Sequence, residues 1–149
     1  MMIRVLAVLV CLSAAPLAAQ QVEMSLADAR VLATQAVVAG EFDLARELAD
    51  QLLAANPDDR DALLVRAALE TQAGDPDIGW AAGARAWRLA NTPADRDEAA
   101  RVTALAAANG DRCTLSGLWL RIALTSDPDD AARAQTITDA RSIARRNPW

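Results

Sequence analysis

Apolar residues recur along most of this chain at helical spacing. Between positions 42 and 55, Ala45, Leu48, Ala49, Leu52 and Leu53 share one face, while Arg46, Glu47 and Asp50 stand mainly off it. Steps of three and four residues mark an amphipathic helix. No stretch alternates apolar and polar positions over a useful length, so no strand is predicted. The same reading along the chain predicts seven helices, over 25–39, 42–55, 57–73, 76–90, 93–108, 112–125 and 128–146. Alanine dominates their apolar positions, which favours helix intrinsically and lets neighbouring helices pack closely.

Two kinds of phrase punctuate the pattern. Asn56-Pro57-Asp58-Asp59, Thr92-Pro93-Ala94-Asp95 and Asp127-Pro128-Asp129-Asp130 each place a capping side chain before a proline and an aspartate. Such a side chain accepts from an orphan helical N–H, and proline in the first helical position forfeits no hydrogen bond. The aspartate then meets the positive end of the helix dipole. Ser25 and Asp28 stand in capping-box spacing before the first helix. Glycine followed by an acid interleaves at Gly40-Glu41, Gly74-Asp75 and Gly110-Asp111, so the two signals together predict a repeated pair of helices. Positions 56 to 74 and 92 to 110 are both 18 apart, which predicts a first helix of constant length. The return halves, from 40 to 56, 74 to 92 and 110 to 127, measure 16, 18 and 17, which predicts that insertions of one or two residues fall in the second helix or its flanking turns.

The first pair resembles a tetratricopeptide repeat, a helix–turn–helix unit of about 34 residues. Leu32, Ala33, Ala36, Gly40, Phe42, Ala45, Ala49 and Pro57 fill its large, small, turn and stop positions. The second unit follows with Ala67, Gly74, Gly79, Gly83 and Ala86, although proline replaces the usual turn aromatic. In the third, Ala99, Val102 and Gly110 fit before the register slips by about one residue. The resemblance covers roughly residues 23 to 130. It implies an all-α fold: a right-handed α-solenoid of about three helix-turn-helix units plus a C-terminal capping helix. It also implies a concave surface, formed by the first helix of each pair, that binds a protein or peptide segment. By matching position that groove would show Arg30, Thr34 and Val38, then Leu64, Ala68 and Gln72, then Ala100, Ala104 and Ala107. Arg30 would be its one charge, which suggests shape-based recognition of an apolar or backbone-presenting segment rather than an acidic tail.

A narrower resemblance concerns Leu115-Ser116-Gly117-Leu118-Trp119-Leu120-Arg121-Ile122-Ala123 and the ending through Arg145-Arg146-Asn147-Pro148-Trp149. These are similar to the periplasmic repeat region of outer-membrane proteins of the surface lipoprotein assembly modifier family. In that family the helical region leads into a transmembrane β-barrel, for which Trp149 would mark the junction.

The amino terminus changes the picture of location. Met1-Met2-Ile3-Arg4, the apolar run 5–12 and the small residues up to Ala19 describe a secretory signal peptide cut after Ala19. A domain from 20 to 149 follows, expected in the periplasm and not embedded in a membrane. Val10 before Cys11 is not the small residue that lipid attachment needs, and after cleavage Cys113 alone remains, with no intramolecular disulfide to make. The 15 basic residues are all arginine; without Arg4 the remainder carries 14 against 20 acids, a net of −6. That balance argues against nucleic acid as a partner.

Candidate chemistry is sparse. Histidine, the commonest general acid–base residue, is absent, and no phosphate loop, nucleophile elbow or Cys/His metal spacing occurs. Neither an enzyme, a cofactor nor a small-molecule substrate is expected. The acidic clusters 58–61, 75–77 and 127–130 fall at predicted helix starts, where capping and the dipole account for them. Trp80 and Trp87 lie two turns apart on one helix face, with Trp119 in the equivalent helix of the next unit. Packing between units is the favoured reading of these rings, and an aromatic patch for a partner is the alternative. Two functions remain: a periplasmic interaction module in envelope assembly, or the helical part of an outer-membrane secretion system without its barrel.

Overall fold

The computed structural model describes residues 24–126 and 130–146, and these form seven helices and no strand. They are α1 (Leu26–Ala39), α2 (Phe42–Ala55), α3 (Arg60–Ala73), α4 (Pro76–Leu89), α5 (Pro93–Asn109), α6 (Cys113–Ser126) and α7 (Asp130–Arg146). The expected signal segment 1–19 and residues 127–129 of the third cap phrase lie outside the described residues. No described helix is long and apolar enough to cross a membrane.

The cap phrases work in two registers. Thr92 caps α5 through Asp95, with a full capping box and Pro93 in the first turn. Asn56 does something else. Its side chain accepts from the Asp58 N–H at 3.1 Å, and its carbonyl accepts from the Asp59 N–H at 3.0 Å, which closes a turn around Pro57. Asp59, the last residue of the phrase, is the cap of α3 and accepts from the Ala62 N–H at 3.1 Å. The expected helix over 57–73 therefore starts at Arg60.

The glycine–acid turns diverge as well. Gly40 ends α1 at φ 78°, and the Glu41 N–H reaches the Ala36 carbonyl, a Schellman closure that favours glycine. At the third turn Gly110 has φ −90° and Asp111 takes the left-handed position at φ 57°. The helix thus runs one residue further, which is the origin of the register slip in the third unit. The return helices α2, α4 and α6 all have 14 residues, which puts the variation of the return halves in their flanking turns, whereas the expected constant first helix does not hold, since α3 has 14 residues and α5 has 17.

Each helix packs on the next, and the odd-numbered helices also pack on one another in series, α1 on α3, α3 on α5, α5 on α7. Consecutive even-numbered helices make no such backbone approach. One apolar cluster joins α1, α2 and α3 through Ala33, Ala36, Leu48, Leu52, Val65 and Leu69. A second joins α3, α4 and α5 through Leu63, Leu64, Ala67, Ala82, Ala86 and Ala99. Helix α5 has neighbours on nearly every side, so it buries alanine around most of its circumference. Helix α4 lies close against α5 at Gly83, where an added Cβ would overlap the Thr103 hydroxyl.

Candidate functional site

Helices α1, α3 and α5 present one side of their series as an open groove of about 550 Å³. Val31, Thr34, Gln35 and Val38 form its α1 wall, Leu64, Val65, Ala68 and Gln72 its floor on α3, and Glu98 and Val102 its α5 wall. The α1 wall holds two valines open to solvent, Val31 57 % and Val38 85 % exposed, with Thr34 and Gln35 between them. A smaller extension of about 200 Å³ shares Ala68, Gln72 and Val102 and continues past Leu105 to Asn109 and Arg146.

Of the nine residues expected here, the structure brings Arg30, Thr34, Val38, Leu64, Ala68 and Gln72 to the groove. The other three are corrected: Ala100, Ala104 and Ala107 are 0 % exposed and lie inside the helix packing. The cause is the shifted cap. Aligning the cap phrases puts α5 36 residues after α3, whereas the groove recurs at 34, from Leu64 to Glu98 and from Ala68 to Val102. A two-residue error turns a helix by roughly 200° and selects the opposite face. Strict 34-residue spacing from α3 would have found Glu98 and Val102.

The charge expectation also changes. Arg30 is not a lone cation: its Nη2 meets the Asp59 carboxylate at 2.6 Å, and Asp59 is only 4 % exposed. Burial pushes the Asp59 pKa up, but the Arg30 hydrogen bond and the Ala62 N–H overcome this and hold it below the usual carboxylate value. The same Asp59 bond and charge raise the Arg30 pKa. Asp61 and Glu98 bring acid to the groove, and both share the Arg60 guanidinium, at 2.8 and 2.7 Å. Asp95 makes a third acid at 3.3 Å from Arg60, and its pKa is lowered chiefly by the Thr92 hydroxyl, with Arg60 assisting.

The remaining acidic clusters act as caps and as arginine partners. Asp58 pairs with Arg85 and Asp77 with Arg112, each linking separate helices or turns, and Asp75 caps α4. Trp80, Trp87 and Trp119 lie on the return helices, away from the groove. Trp87 and Trp119 meet edge to face at 5.7 Å between centroids, and Arg112 stacks over Trp80 at 5.5 Å. Cys113 is half-buried at the start of α6 and unpaired.

No protein-family model matches this chain, and neither does any curated protein or solved structure.

Proposed function

We propose that this chain is a protein-interaction module of the tetratricopeptide type, acting in the periplasm, whose odd-numbered helices hold an extended peptide segment. The observation that carries the reading is the groove itself. Solvent-exposed valines on α1 stand over a floor of Leu64, Val65 and Ala68, and such a surface gains by being covered. Stacking of α1, α3, α5 and α7 in series supports a solenoid, since solenoid units contact only their neighbours. Binding rather than catalysis is favoured because the ionisable side chains at the groove, Arg30, Asp61 and Glu98, are engaged in ion pairs between helices or along α3.

The test is selection of binders from a displayed library of random peptides, followed by Val38→Asp. Val38 is too exposed to matter for folding, so circular dichroism should be unchanged. Selected peptides should lose at least about tenfold in affinity, as one desolvated anion against an apolar segment requires. Peptides that bind the variant equally well would remove the groove from consideration. Arg30, an obvious choice from the sequence, is a poor probe because it anchors the cap of α3.

A further inference from the structure

The groove has two chemically different ends. At the end formed by the first turns of α3 and α5, one guanidinium serves three carboxylates: Arg60 with Asp61, Asp95 and Glu98. Arg60 is 17 % exposed and its two terminal nitrogens are shared among all three acids, so this corner keeps a surplus of two negative charges. Arg30, although within Coulombic reach of Asp61, leaves this balance unchanged, since it forms a neutral pair with Asp59. At the other end stands Arg146, the last residue of α7, which donates to the neutral Asn109 side chain at 3.0 Å and has no carboxylate partner among the described residues. Between the two ends the surface is Ala68, Gln72, Val102 and Leu105, with no charge.

Resting on the groove reading above, the geometry points to a bipolar occupant: an extended apolar segment with a cationic side chain over Asp61 and Glu98 and an anionic group at Arg146. Charge complementarity fixes this choice. An acidic segment would face the carboxylate corner, and a wholly basic one would face Arg146. The length is set by α5. From Glu98 to Asn109 is 11 residues, roughly 16 Å of helix, which an extended chain covers in about five residues. The occupant is therefore a segment of about seven residues, with charges of opposite sign at its ends and small or β-branched apolar residues between. The apolar centre supplies affinity and the ends supply selectivity, because exposed charges at this separation are well screened by salt.

The experiment uses four dye-labelled heptapeptides, blocked at both termini, with the common centre Val-Ala-Val-Val-Ala. Their flanks are lysine and glutamate, lysine twice, glutamate twice, or glutamine twice, and binding is read by fluorescence anisotropy. The lysine–glutamate peptide should bind at least about threefold more tightly than the glutamine peptide at low salt, with the gap closing near molar salt. Asp61→Asn with Glu98→Gln should abolish the benefit of lysine, and Arg146→Gln that of glutamate. All three positions are surface side chains, and thermal melts check that folding is kept. Equal binding of all four peptides, still sensitive to Val38→Asp, would overturn the bipolar occupant while leaving the groove standing. The same holds if either doubly charged peptide binds tightest. Binding of no peptide, or binding insensitive to Val38→Asp, would overturn the groove reading and this inference together.

Discussion

Asp59 carries two loads on one carboxylate: it caps α3 and it holds Arg30 of α1. Asp59→Ala should therefore cost about 1 kcal/mol from the cap alone and more from the lost partner, whereas Asp59→Asn keeps the cap and costs less. Urea unfolding of the two variants separates the contributions. The folded-state pKa values of Asp59 and Asp95 are depressed, so the stability they contribute is complete above the unfolded value of about 3.9 and is lost as pH falls through the folded values. Melting temperature should hold steady on this account down to about pH 5 and then decline, more shallowly in Asp59→Asn. A decline just as steep in that variant would remove Asp59 as a cause. Gly83 is a different kind of position, where the missing side chain is what counts. Gly83→Ala drives a methyl into the Thr103 hydroxyl and should destabilise by roughly 1–3 kcal/mol, with partial recovery in the double variant with Thr103→Ala.

At the scale of the element, the helices were legible because each one carries its own periodicity and caps. The spans of α1, α2 and α4 agree with the sequence within a residue at either end. The start of α3 did not, because Asn56-Pro57 can close a turn as readily as open a helix, and only the path of the chain between α2 and α3 selects the turn. That three-residue change passed into the groove assignment and rotated α5. A pair of substitutions tests the corrected register. Ala104→Leu should overpack the interior and cost roughly 1–3 kcal/mol, while Glu98→Leu, on the groove wall, should stay within about 1 kcal/mol. Chemical denaturation of both is sufficient, and a harmless Ala104→Leu would return α5 to the register of the cap phrases.

Across the whole molecule, the odd-numbered helices are tied in series by arginine and acid as well as by apolar packing. Arg30 reaches Asp59, Arg60 reaches Asp95 and Glu98, and Arg101 spans Asp97 on its own helix and Asp139 on α7 at 3.8 Å. Asp97 is buried and also lies 3.4 Å from the Thr136 hydroxyl of α7. Arg101→Ala leaves that carboxylate buried without its cation and should cost roughly 2 kcal/mol. Asp97→Asn in the same chain should recover part of the loss, a coupling that a double-mutant cycle measures directly. An arginine-only set of cations suits these links, since a guanidinium can serve two or three acceptors at once, as Arg60 does.

By itself the sequence determined that this protein is helical and where most of its helices begin and end. Those features are local, written in periods of three and four residues and in caps a few positions long. Tertiary structure decided the rest: which phrase opens a helix and which closes a turn, which face of α5 meets solvent, and which acids each arginine holds. A helix turns by about 100° per residue. A face is therefore lost with a shift of two, and only the neighbours packed around α5 could choose between Ala100 and Glu98.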